Sequence, residues 1–311
     1  MLNQVIAIYD LLDSAEISGK RVAKFLNEKG LDRIEVSEIK GDKGKTDFIK
    51  ILIPGFSGKS KGGESPTLGI IGRLGGIGAR PERIGLVSDA DGAIAALACA
   101  SKLAEMKTKK DNLDGDVIIT THICPNAPTQ PHSPVPFMGS PVDMKTMNFY
   151  EVAPTMDAIL SIDTTKGNRV VNHRGFAVSP TVKEGWILKV SDEVLNIVEW
   201  SSGNAPFVLP ITMQDITPYG NGVFHINSIL QPCTATKAPV IGVAITTVSP
   251  VPGCGTGASR EIDIEEAARF CIEVAKAFTA GGCSFYSSQE YEQLVRLYGA
   301  MNHLQTEGIS R

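Results

Sequence analysis

The chain has 311 residues, with 30 Lys and Arg against 34 Asp and Glu and a formal charge of −4. That length suits one large α/β domain or two small ones, with a core that needs no disulfide or metal to fold. Neither sign of charge gathers into a block, so no phosphate-binding face is expected, and nucleic acid is set aside as a partner. The six cysteines are scattered and form no CxxC pair. The N-terminus "MLNQVIAIYDLLDSAE" lacks a basic region and a cleavage site, and no apolar run reaches the roughly 18 residues of a membrane span. The expectation is a cytoplasmic protein with reduced thiols and no membrane partner.

In chain order, two helices come first. Leu2, Val5, Ile6 and Ile8 to Leu12 make one apolar stripe, and "ISGKRVAKFLNEKG" makes another, with Ser18 as N-cap and Gly30 as its stop. "RIEVSEIKG" and "DFIKILIPG" alternate as paired strands. The stretch "GFSGKSKGGESPTLGIIGRLGGIGARPERIG" reads as a Gly-rich loop region over 55–80, followed by a strand in "RIGLVSDADG". The Ala-rich "GAIAALACASKLAEMKTKK" is a helix, basic at its end as its macrodipole favours. "GDVIITTHICP" is the next strand, a helix follows around 142–149, and "MDAILSIDTT" is another strand. After two looser segments come the strand "APVIGVAITTV" and an amphipathic helix starting at Asp263, capped with Glu266. The alternation implies a single α/β domain over 1–311, its mixed, mostly parallel sheet covered by helices on both faces.

In such sheets ligands bind beyond the carboxyl ends of the strands. "GLVS" ends at Asp89 and Asp91, "VIITT" at His122 and Cys124, and "AILSI" at Asp163, followed by Thr164 and Thr165. Strand alternation puts His122 and Cys124 on one face, with Ile119, Thr121 and Ile123 on the other. Two carboxylates and an imidazole on one rim are reasonable ligands for Zn²⁺ or Mn²⁺. Each has an ordinary structural role as well: Asp89 or Asp91 as a helix cap, Asp163 in an Asx-turn, His122 as a hydrogen-bonded strand-end histidine.

The order of "SAEISGKRVAKFL", "ILIPG", "SDADGAIAALACASKL", "GDVIITTHI", "MDAILSIDTT", "PYGNGVFHI" and "APVIGVAITTVSP" resembles the cocatalytic zinc aminopeptidase superfamily, which includes glutamyl-aminopeptidase-like amidohydrolases. It also resembles a bacterial and archaeal family catalogued as a domain of unknown function. The resemblance implies a three-layer, zinc-aminopeptidase-like (phosphorylase/hydrolase-like) fold and a divalent metal, Zn or Mn. It matches Asp89 (Asp91 second) to the metal-bridging Asp and Asp163 to a later strand-end ligand. The chain departs from the pattern elsewhere. "IKILIPGFSG" holds no histidine, Thr121-His122 stands where a Glu-Glu pair is expected, and "VSPVPGCGTGAS" offers only Cys254 for the last ligand. What remains could hold one metal through Asp89, His122 and Asp163, with His225 as a further candidate ligand. No separate lid domain is expected, so loops or a neighbouring subunit of a homo-oligomer would cover the pocket.

"GFSGKS" mimics the end of a P-loop, but Ile53 stands where its first glycine is required. "VPGCGTGAS" could cradle an anion through backbone N–H groups, which makes Cys254 and Gly255 substrate-binding candidates beside Thr164 and Thr165. His132 could serve as general base if its loop folds inward. Cys124 could be a nucleophile, against the commoner role of buried filling. Two readings stand: a metal-dependent hydrolase of an amide or small peptide-like substrate, and a non-hydrolytic homologue that binds a metabolite or partner at the same cleft.

Overall fold

The computed structural model of the chain describes residues 1–308. A sheet of nine strands runs through it, built on four parallel ones: β3 (Leu68–Gly72), β4 (Val117–Ile123), β7 (Ala158–Thr164) and β11 (Val240–Thr246). Every residue of these four strands is buried, which is why they read as unbroken apolar runs rather than alternating ones. β1 (Ile34–Gly41) and β2 (Gly44–Ile53) pair antiparallel beside β4. β8 (Gly175–Val178) and β9 (Thr181–Lys183) join β11 antiparallel, and β10 (Trp186–Leu188) closes that edge. β5 (Thr129–Gln130) and β6 (Phe137–Met138) form a separate small hairpin.

One face of the sheet carries α1 (Leu2–Leu12), α2 (Gly19–Glu28), α3 (Asp91–Thr108), α5 (Asp192–Ser202) and α6 (Glu261–Thr279) over the larger apolar cluster. The other carries α4 (Met144–Glu151) and 3₁₀ turns at Met213–Ile216 and Ser228–Ala235 over a smaller cluster. The fold is therefore a three-layer α/β arrangement with a mixed, mostly parallel sheet. Ser18 does cap α2, and the Ala-rich α3 is buried nearly all round because α1, α6 and the sheet enclose it.

Three local expectations are corrected. The Gly-rich stretch is not wholly loop, for it contains the central strand β3. Its glycines disguise it, and they are there because neighbouring chain comes too close for a side chain. A Cβ on Gly72 would lie 2.6 Å from the Gly92 carbonyl oxygen, and one on Gly69 would meet the Met156 side chain. The strand expected in "RIGLVS" is instead irregular chain leading to a 3₁₀ turn at Ser88–Ala90. Finally, α6 starts at Glu261 rather than Asp263, whose carboxylate caps nothing, and a further helix, α7 (Ser288–Tyr298), follows it.

Gly92 fixes the start of α3 against the strand tips. A Cβ there would stand 2.7 Å from the Ile162 carbonyl oxygen and 2.8 Å from that of Arg73. Both neighbours are backbone and cannot swing away. Gly92→Ala is expected to destabilise the protein by about 1–3 kcal/mol, read as a lower urea midpoint at unchanged m-value.

Candidate functional site

The carboxyl ends of β3, β4 and β7 lie side by side, and each delivers a charged or ionisable group. β3 is followed directly by Arg73, β4 carries His122 and β7 carries Asp163. The backbone N–H of Arg73 donates to the Ile162 carbonyl at 2.7 Å, which extends the β3–β7 ladder to the tip. Arg73 is 1% exposed, and Glu151 and His122 are wholly buried. The Arg73 guanidinium pairs with Glu151, and the other Glu151 oxygen lies 2.9 Å from His122 Nδ1. Burial alone would raise the Glu151 carboxyl, but Arg73 and His122 outweigh it and hold it below its usual range. With Glu151 ionised, Nδ1 carries the imidazole proton and donates it. Nε2 is left buried without a protein partner. Phe48, opposite His122 across β2–β4, packs its ring 5.0 Å away and fixes the imidazole from the other side.

Asp89 arrives differently. The 3₁₀ turn that carries it docks on the "VPGCGTG" loop: its N–H donates to the Cys254 carbonyl at 3.0 Å, and that of Ser88 to the Thr256 carbonyl at 2.7 Å. Its carboxylate accepts the N–H groups of Gly75 at 2.7 Å and Gly76 at 2.8 Å, so it ties down the loop after Arg73. Burial pushes this carboxyl up to about 6, against those two amides. Asp163 accepts the Ser228 hydroxyl and the Thr164 N–H, both at 2.7 Å. Burial, and then the neighbouring Asp89 charge, push it up to about 8. Two carboxylates buried at one rim each make the other harder to ionise.

The remaining expected residues distribute as follows. Asp91 is not free for a metal, because Lys166 holds it at 2.5 Å, Ser259 donates to it at 2.5 Å and the Thr164 hydroxyl lies 3.3 Å away. Thr165 is held by the Asn227 amide. Cys254 stands in the loop behind Asp89, and burial pushes its thiol up. Gly255 packs under the Pro136 carbonyl of the proline-rich segment. His225 is not placed as a ligand, since its ring nitrogens sit 3.1 Å from the Val223 carbonyl and 3.0 Å from that of Thr217. His132 does not fold inward: it is exposed and packs edge-on against Phe137. Cys124 is buried, its thiol points to the Lys45 carbonyl, and burial pushes it up to about 12, which removes it as a nucleophile. "GFSGKS" lies at the opposite end of the sheet, wrapped around Asp116 ahead of β4.

The sequence reading missed Arg73 and Glu151. A charged residue straight after the apolar "LGIIG" was a signal for the first. Glu151 ends an unremarkable helix and gave none.

Among the described residues no three of His, Cys, Asp and Glu converge as a metal-holding group. The three protein ligands of a catalytic zinc centre are therefore not assembled. Asp89 and Asp163 do fit the lesser requirement of an oxygen-preferring ion such as Mn²⁺ or Mg²⁺, which takes one or two carboxylates and completes its shell elsewhere. Their mutual repulsion is what such a cation relieves.

Two expectations follow. Asp163 and Asp89 have folded-state values above their unfolded value of 3.8, so the folded protein binds more protons between the two limits. Their contribution to stability is complete below about pH 4 and is lost as pH rises through about 6 and then about 8. In chelator-treated protein, Asp163→Asn should therefore melt higher than wild type at pH 9, with the gap closing toward pH 4. Arg73→Ala strands a buried Glu151 charge and should cost about 3–5 kcal/mol in denaturant unfolding.

Among solved structures the chain is similar to the bottromycin maturation enzyme BotP in complex with Mn. The TM-score is 0.54 at 16% identity, covering 89% of this chain and 70% of that one. That likeness carries the fold. No curated protein matches the chain. The model of the family described as protein of unknown function DUF1177 matches residues 37–308, and the chain belongs to that family.

Proposed function

We propose that the chain is a hydrolase of amide or small peptide-like substrates, working with one divalent ion held by Asp89 and Asp163. The observation that carries this reading is the pair of buried carboxylates at one rim of the sheet, Asp89 on its 3₁₀ turn anchored by two backbone amides and Asp163 at the tip of β7 anchored by a serine hydroxyl. A fold neighbour solved in complex with Mn supports it. The ion, when bound, would polarise a carbonyl and lower the pKa of a water.

The chain's own residues supply the rest. Asp89 and Asp163 provide negative charge on fixed supports, so little reorganisation is needed when a cation arrives. His122 is the proton acceptor: Glu151 takes its Nδ1–H, which leaves the Nε2 lone pair to receive a proton, and Arg73 keeps Glu151 ionised while it does so. In this arrangement His122 acts as base rather than metal ligand, and it replaces His132 in that role.

A second reading has its own support. Arg73 is a permanent buried cation beside the carboxylates, so the site is partly charge-balanced without any metal. A homologue that binds a metabolite without hydrolysing it would keep this feature.

The test is Mn²⁺ or Zn²⁺ titration of chelator-treated protein by calorimetry and thermal melting, followed by a panel of aminoacyl and acyl p-nitroanilides. Wild type should bind one Mn²⁺ and gain about 2.7 kcal/mol of stability at a hundredfold excess over Kd. Asp163→Asn and Asp89→Asn should gain nothing. His122→Gln should bind the ion and lose turnover. Wild type that neither binds nor is stabilised by either metal would sink the hydrolase reading and leave the second one.

A further inference from the structure

The loop that backs Asp89, "VPGCGTG", has its polar groups sorted by direction. Its carbonyls turn inward. That of Cys254 accepts the Ser88 hydroxyl at 2.8 Å and the Asp89 N–H at 3.0 Å, and that of Thr256 accepts the Ser88 N–H at 2.7 Å. The N–H groups do not follow. Those of Gly253, which is half-buried, and Gly257, which is exposed, have no protein partner among the described residues. A loop that spends its carbonyls and leaves N–H groups free suits an anion.

Two guanidinium groups flank this loop. Arg83 lays its side chain along one side, where a Cβ on Gly255 would stand 3.8 Å from Arg83 Cδ. On the other side is the turn after β7. The Gly167 carbonyl there accepts the Val251 N–H at 2.9 Å, and Arg169 follows two residues on. Arg83 is half-buried and Arg169 exposed, and neither has a hydrogen-bond or ion-pair partner among the described residues. The other arginines of this rim are answered. Arg73 pairs with Glu151, Arg80 faces Asp13 at 3.7 Å, Arg260 faces Asp263 at 3.8 Å, and Arg174 lies close enough to Asp263 and Glu266 to act on both. Glu82, next to Arg83, accepts the Thr129 hydroxyl instead. A lone surface arginine is a solvated charge and nothing more. Two of them, set on either side of a loop with free N–H groups, in a chain of net charge −4, outline a place for an anion.

We infer that this loop is a recognition subsite beside Asp89, and that the substrate carries an oxyanion group, a carboxylate or a phosphate ester, beyond the bond that reacts. Arg83 and Arg169 hold the oxyanion through charge-assisted hydrogen bonds, and the free N–H groups of the loop add donors. The assignment deepens the hydrolase reading and rests on it for which bond reacts. The binding itself requires no ion.

The experiment is calorimetry and ligand-observed NMR on the chelator-treated full chain with three probes. N-acetyl-leucyl-glycine offers a carboxylate, its C-terminal amide offers none, and N-acetyl-O-phosphoethanolamine offers a phosphate ester. Wild type should bind at least one of the two anions saturably, about tenfold or more tighter than the neutral amide, and less tightly as salt is raised. The tighter anion names the group. Arg83→Gln and Arg169→Gln should each weaken that binding about tenfold. Lys61→Gln removes the same charge from an exposed position at the opposite end of the sheet and should leave it unchanged. Equal affinity for the amide and the anions, full affinity in either arginine variant, or an equal loss in Lys61→Gln overturns the assignment. Protein that binds Mn²⁺ but neither anion loses the subsite alone. Protein that binds an anion through both arginines but no metal keeps the subsite and loses the hydrolase reading.

Discussion

The buried chain of Arg73, Glu151 and His122 is the interaction on which the rest of the site depends. It joins the ends of β3 and β4 to the last turn of α4, three elements far apart in sequence. None of its members is more than 1% exposed. A lone charge at such depth costs several kcal/mol, and it is tolerated only when paired and hydrogen-bonded. Here the guanidinium answers the carboxylate, and the carboxylate orients the imidazole. The network therefore sets both the electrostatic background of the strand tips and the face His122 presents.

Around it, the carboxylates are arranged in opposition rather than in balance. Asp91 has its own ammonium in Lys166 and a hydroxyl in Ser259, so its charge is answered at the start of α3. Asp89 and Asp163 have only neutral donors, and each raises the energy of the other's charge. That contrast within one short "SDADG" motif separates a carboxylate paired with a cation from one held by neutral donors.

Much of this architecture was legible as pattern. Asp163 follows the run "AILSI" and His122 follows "VIITT", so their places at strand ends followed from where those buried runs stop. β3 was hidden because the Gly92 backbone crowds position 72 and the Met156 side chain crowds position 69, and glycine reads as loop. Glu151 was hidden because a helix-terminal glutamate is usually solvated, and nothing local marks this one as buried. His132 and His225 looked available because availability depends on loop path and on neighbouring carbonyls, which spacing does not encode.

What the sequence by itself determined is the layer architecture and two of the strand-tip residues, His122 and Asp163. Side-chain period and apolar runs are local properties, and they dictate which residues a parallel sheet must bury and which it must deliver at its ends. What only the tertiary structure decided is which ionisable groups meet. Arg73 with Glu151, Asp89 with Asp163 and Lys166 with Asp91 are pairings across 78, 74 and 75 residues of chain. Charge interactions fall with distance in space and take no account of distance in sequence. The protonation, the partners and hence the chemistry of each group were fixed only when the sheet brought the strand ends together.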